Sequence, residues 1–202
     1  MTSWAELLTG AGPGEHVVQL YGEDDQLLAR NASRYLAEGL RRGDGLVVIA
    51  TPEHIRAIAR HLVEEDAASA LAAASNGRLR YLEAEHTLAD LLVAGRPDET
   101  RFRTVIGGAI AGVRARSATG AARAFGEMVG LLWNQERYED AERLERLWNA
   151  VLAEYGCSLF CAYRIDLFEP GGDAAELHSI IGSHHRILAG TGTLLSSGRP
   201  RA

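Results

Sequence analysis

Residues 16–51, HVVQLYGEDDQLLARNASRYLAEGLRRGDGLVVIAT, decide the fold. Val17, Val18 and Leu20 form a short apolar run of the kind that becomes a buried strand. Tyr21-Gly22-Glu23-Asp24-Asp25 breaks it. Leu27, Leu28, Asn31, Tyr35, Leu36 and Leu40 then recur at helical spacing, with Arg30, Arg34, Glu38 and Arg41 on the other face. Gly43-Asp44-Gly45 stops the helix. Leu46-Val47-Val48-Ile49-Ala50 is a second unbroken apolar run, as expected of a strand covered on both faces. Strand, crossover helix and strand make a βαβ unit, so the two strands run parallel.

The first loop of such a unit is where a nucleotide-binding protein carries G-x-x-x-x-G-K-[ST], whose backbone N–H groups and lysine hold phosphates. Here YGEDDQLLARN takes that place, with one glycine, no lysine and three acidic residues. Carboxylates facing a triphosphate repel it. The sequence keeps the scaffold and drops the phosphate chemistry, which implies a pocket with a different ligand.

The remainder alternates in the same way. Trp4 to Leu8 is a short amphipathic piece. Thr51-Pro52-Glu53 opens a helix, with threonine as N-cap and proline at the first helical position. That helix runs to about Val63, and the alanine-rich stretch from Asp66 to Ser75 suits a further short helix. Arg78 to Glu83 alternates as a third strand. Helices follow over Thr87 to Val93 and Asp98 to Arg116; the Gly107-Gly108 pair in the second implies close packing against a neighbour. Ala122 to Gly126 has poor strand propensity, but its position between two helices argues for a strand. Met128 to Trp133 is helix-compatible. Tyr138 to Tyr155 is the strongest helix, with Ala141, Leu144, Leu147, Trp148, Val151 and Leu152 as its stripe and Glu142, Arg143, Glu145 and Arg146 opposite. Cys157 to Tyr163 is a buried strand, and Ala174 to Leu188 a last helix. The expected organisation is a lead-in over 1–13, one domain over 14–189 and a disordered tail over 190–202. The class is α/β: a three-layer sandwich around a mostly parallel sheet of about five strands, which binds ligands beyond the strands' carboxyl ends.

A chain of 202 residues suits one well-buried domain. Its net charge of −6 and lack of a long basic stripe argue against a nucleic-acid surface. No run of about 18 apolar residues is present to span a membrane, and the first residues lack the basic region of a secretory signal. Two cysteines, Cys157 and Cys161, make no disulfide framework, so a reduced, cytoplasmic setting is expected.

Several motifs in order carry a family resemblance: H-x-x-x-x-Y (His16, Tyr21), A-E-G-L-R-R-G-D, F-G-E-M-V (Phe125 to Val129) followed by L-L-W (Trp133), A-x-x-L-E-x-L-W-N (Ala141 to Asn149) and C-A-Y (Cys161 to Tyr163). Together they resemble the MEDS domain, the methanogen/methylotroph DcmR sensory domain, over about residues 14–186. The resemblance implies a fold like that of RecA-like (P-loop NTPase-like) circadian-clock ATPases with a degenerate phosphate loop. It implies a sensor of small hydrocarbon derivatives, working with a regulatory protein partner: a histidine kinase, an anti-sigma factor or a transcription factor. The remaining residues leave no room for a kinase core or a helix-turn-helix, so a stand-alone module without direct nucleic-acid contact is expected.

Candidate site residues follow from position. Tyr21 ends the first strand where phosphates would sit and can donate to a ligand. His16 lies at the opposite end, so both line one small pocket only if that strand is shorter than drawn. Glu127 follows the fourth strand, placed to point into the crevice or to serve a helix N-terminus. Trp133 and Trp148 suit either a pocket wall or the core. Cys161 and Tyr163 share one strand face with Cys157, where a packed structural thiol competes with a ligand role. His178, His184 and His185 look like a metal tract, but adjacent histidines on a helix cannot chelate from one face; His185 stays a candidate because it occupies a position similar to a family histidine. The ligand-binding set is therefore His16, Tyr21, Glu127, Trp133, Cys161, Tyr163 and His185, with no catalytic residue, no cofactor and no metal assigned. The leading expectation is a ligand-binding regulatory sensor that can pair as a homodimer. The alternatives are a protein-only adaptor using the 138–155 helix, or a residual nucleotide binder in which Arg30 and Arg123 replace the lysine.

Overall fold

The computed structural model describes residues 8–22, 24–164, 182, 184–189 and 193–195. Six strands run parallel: β1 (His16–Tyr21), β2 (Gly45–Ala50), β3 (Leu79–Glu83), β4 (Ala122–Gly126), β5 (Ser158–Arg164) and β6 (Arg186–Ala189). A short β7 (Thr193–Leu195) pairs antiparallel with β6. The sheet order is β3-β2-β4-β5-β1-β6-β7. The strand over residues 122–126, poor by propensity, sits between β2 and β5 with every residue buried.

The helices divide between the two faces. α1 (Asp25–Arg42) and α2 (Pro52–Ser75) pack on Val17, Leu46, Val48, Phe125 and Phe160. α3 (Ala84–Leu91), α4 (99–114), α5 (Met128–Asn134) and α6 (Tyr138–Tyr155) pack on Val18, Leu20, Val47, Ile49, Ala124 and Leu159. Strand residues alternate between the two clusters, as a two-residue period demands. Both faces are covered, which explains the unbroken apolar runs of β1 and β2.

α2 joins the two expected helices through one non-helical residue, Asp66, whose Oδ1 accepts from Ser69 N and caps the second segment. α4 starts as Glu99–Phe102, passes a π turn at Arg103–Gly107 and ends as Gly108–Arg114. Of its three glycines only Gly107 is closely packed: a Cβ there would lie 3.2 Å from the Tyr155 hydroxyl, whereas Gly108 and Gly112 face open space.

Two expectations near the end of the chain need correction. Residues 186–188 belong to a strand, because they complete the sheet beside β1, and so the helix expected to reach Leu188 does not. Thr193–Leu195 forms β7 within the segment expected to be disordered. His178 and most of that expected helix lie outside the described residues, as does Trp4.

Candidate functional site

β2 sends its chain into α2 on one face of the sheet, while its neighbour β4 sends its chain into α5 on the other. This divergence opens a crevice at the carboxyl ends of the strands. Its volume is about 230 Å³, and its walls include Tyr21, Asp25, His54, Glu127, Leu131 and Arg164.

Both long helices that begin at this mouth have a carboxylate of the chain itself set against their N-termini. Asp24 caps α1, its Oδ1 accepting from Leu27 N at 2.8 Å. Glu127 serves α2: its Oε2 accepts from the backbone N of the N-cap residue Thr51 at 2.8 Å. The positive ends of two helix dipoles, the natural seat of a phosphate, therefore already face internal anions.

Glu127 is 5% exposed, and its Oε1 lies 2.5 Å from His54 Nδ1, a close charge contact that falls short of an aligned hydrogen bond. Burial alone would lower the pKa of His54, but the Glu127 carboxylate, with help from Asp25 and Glu53, raises it above the ordinary value. Asp25 Oδ1 stands 3.8 Å from the other ring nitrogen. The Tyr21 ring meets His54 edge-on at 6.5 Å. Burial, then the Glu127 and Asp25 charges, push the Tyr21 hydroxyl far above its ordinary value, so it remains a donor.

The remaining expected site residues lie elsewhere. His16 is fully buried at the amino end of β1, and it meets Cys161, Glu145 and His184 on the far face of the sheet. Tyr163 points the same way, donating to Glu145 Oε1 at 2.5 Å, with the Trp133 ring 5.7 Å away. His185 is exposed and braces the backbone: its Nδ1 accepts from His16 N at 3.1 Å. Trp148 is core, edge-on to Phe102. Cys157 is buried, and burial pushes its thiol up to about 12. The structure thus separates the expected set into a crevice pair, Tyr21 and Glu127, and a buried group around His16 and Cys161.

Neither expected phosphate-gripping arginine reaches the crevice. Arg123 is 2% exposed at the amino end of β4, where its Nε meets Asp44 Oδ2 at 3.2 Å and its guanidinium lies over the Tyr35 ring. Arg30 is exposed on α1, in a separate shallow depression with Arg34 and His61.

Sequence reasoning passed over His54, Glu145 and His184. His54 follows a Thr-Pro helix start directly after a strand, which places it at the strand's carboxyl end and was a usable signal. Glu145 was assigned to the solvent side of α6 and is instead 3% exposed. It lies four residues after Ala141 and three before Trp148, on the edge of the stripe, and buried histidines and Tyr163 give it partners. His184 precedes a strand, so the argument against chelation from a helix does not apply to it.

Among the described residues, the α/β fold frames a polar crevice lined by Tyr21, Glu127 and Arg164. The family model described as MEDS, MEthanogen/methylotroph, DcmR Sensory domain, matches residues 15–184, and the chain belongs to that family. Its role is accordingly of the sensory and regulatory kind. A search of the curated proteins finds no match. No helix among the described residues is long and apolar enough to cross a membrane.

Proposed function

We propose that the chain is a sensor that takes a small organic molecule into the carboxyl-end crevice and reports it to a regulatory protein partner of the histidine-kinase, anti-sigma or transcription-factor class. The observation that carries this reading is the placement of a carboxylate of the chain, Asp24 or Glu127, against each helix N-terminus. A triphosphate would have to displace both carboxylates and then face Asp25 and Glu53 as well.

The crevice falls below the roughly 300–1,000 Å³ of pockets for drug-sized ligands, so its occupant has few heavy atoms. Its walls are more polar than a purely apolar ligand would need. The His54–Glu127 pair and the Tyr21 hydroxyl suit one oxygen-bearing head, while Leu131 and Ala162 suit a short hydrocarbon tail. A short-chain alcohol or ketone fits this chemistry. Occupancy between Glu127 and the first turn of α2 would bias how that helix sits on the sheet and so alter the surface offered to the partner.

Thermal-shift and calorimetric titrations with short alcohols, ketones and halocarbons, and separately with magnesium ATP, test the reading. The expected result is saturable stabilisation by at least one small organic, about 2.7 kcal/mol at a hundredfold excess over Kd. Tyr21→Phe or Glu127→Gln weakens it. Stabilisation by magnesium ATP alone overturns the proposal.

A further inference from the structure

On the face of the sheet opposite α1 and α2, four side chains from four separate elements converge. They are His16 of β1, Glu145 of α6, Cys161 of β5 and His184 just ahead of β6. All four are buried, and their potential ligand atoms lie within 4.8 Å of one another. His16 Nε2 stands 3.1 Å from Cys161 Sγ and 3.6 Å from Glu145 Oε2, and His184 Nε2 is 3.3 Å from Glu145 Oε1.

This group is costly as a set of ordinary core residues. Glu145 Oε2 is buried with no hydrogen-bond partner among the described residues. A carboxylate oxygen buried without a hydrogen-bond partner and facing two imidazoles and a thiol asks for a cation.

The supporting residues are arranged as metal ligands require. Asn149 Oδ1 lies 3.0 Å from His16 Nδ1, so Nδ1–H donates outward and the Nε2 lone pair turns inward to the cluster. Tyr163 fixes the Glu145 carboxylate from the other side.

We propose that His16, Glu145, Cys161 and His184 form a four-coordinate zinc(II) site. Zinc bonds to nitrogen, oxygen and sulfur of about 2.0–2.3 Å put neighbouring ligand atoms of a tetrahedron roughly 3.3–3.8 Å apart. The separations of His16 Nε2 from Cys161 Sγ, 3.1 Å, and from Glu145 Oε2, 3.6 Å, already approach that frame, and all four ligand atoms lie within 4.8 Å of one another. Two imidazoles, one carboxylate and one thiol are a borderline donor set that suits zinc. On binding, the Cys161 S–H proton leaves to solvent and an S–Zn bond forms. Thiolate and carboxylate together then balance the metal's two positive charges, and the buried site becomes neutral. Four protein donors leave no open position, so the zinc clamps β1, β5, α6 and the entry to β6 rather than performing chemistry. This site is independent of the crevice and of the ligand read there.

The test uses the full chain, made with zinc in the medium and freed of any purification tag. Elemental analysis should give one zinc per chain, and chelation should lower Tm. The cobalt-substituted protein should show a thiolate-to-cobalt band in the near ultraviolet, absent in Cys161→Ser. Tyr163→Phe, which removes one supporting hydroxyl, should weaken zinc binding about 10–100-fold and retain the band; it serves also if Cys161→Ser does not fold. His86→Ala, an exposed histidine elsewhere, should leave affinity unchanged. Protein that holds no zinc and whose Tm ignores both chelator and added zinc overturns the proposal. So does a cobalt band that survives Cys161→Ser, or an affinity that Tyr163→Phe does not change.

Discussion

Replacing Arg123 by methionine separates two roles that the sequence left open for this arginine. Its Nε meets Asp44 Oδ2 at 3.2 Å, with the two side chains 3% and 7% exposed. Removing one partner of a buried pair strands the other and costs about 3–5 kcal/mol. Asp44 keeps one donor, the Thr119 hydroxyl at 2.6 Å, and methionine preserves much of the stem that packs on Tyr35 and Gly39, so the lower end applies, about 3 kcal/mol. For a chain of this size that is roughly 6–12 °C in Tm. Asp44→Asn should cost a comparable amount. Because each single change damages the same pair, the double variant should cost at least about 1 kcal/mol less than the sum. Urea denaturation of the four proteins in one buffer measures this. Crevice binding of a small organic should persist in Arg123→Met under conditions where the variant is folded. A loss below about 1 kcal/mol for Arg123→Met, or simple additivity in the cycle, would refute the structural assignment.

Three further outcomes follow from particular contacts. The His54 pKa is raised by Glu127, so its contribution to stability is complete below about 6.5 and fades as pH rises through the raised value. The stability gap between the native protein and Glu127→Gln should therefore narrow from pH 6 to pH 9, and the His54 ring resonance should titrate lower in the variant; a gap independent of pH contradicts this. A Cβ at Gly45 would lie 2.5 Å from the Val113 carbonyl oxygen, a backbone atom that cannot turn away. Gly45→Ala should cost at least about 2 kcal/mol, whereas Gly108→Ala, facing open space in a helix, should gain up to about 1 kcal/mol. Thermal melts of the pair should move in opposite directions. Asp24→Ala removes the cap of α1 and should cost about 1 kcal/mol, without creating affinity for ATP; measured ATP binding in that variant would mean that Asp24 alone, and not the pair with Glu127, keeps phosphate out.

The scaffold was legible because local and global signals agreed. The apolar runs of β1 and β2, the Thr51-Pro52 helix start and the Gly43 and Gly156 stops all act within a few residues, and each carries one physical cause. β4 was legible only from its place between helices, since Ala-Arg-Ala-Phe-Gly gains its strand form from neighbours on both sides. The sheet's last strands were missed because β6 and β7 depend on pairing with β1, a contact across most of the chain. Tyr21 and Glu127 were legible as crevice residues because both end strands. The buried group was not, because alternation assigns faces within one strand and gives no distance between strands. His16 and Cys161 become neighbours only once β1 and β5 pair in register, Val18 beside Cys161, and His184 joins them only through the pairing of β6 with β1. Amphipathic patterning also assigns any glutamate outward by default, so it cannot anticipate one that internal partners hold.

The most direct measurement follows the His54 ring resonance while the full chain is titrated, first with short alcohols and ketones and then with magnesium ATP. A crevice whose helix ends are filled by Asp24 and Glu127 should give a saturable His54 shift with at least one small organic and none with ATP. A saturable shift with magnesium ATP, accompanied by changes along residues 21–31, would contradict it.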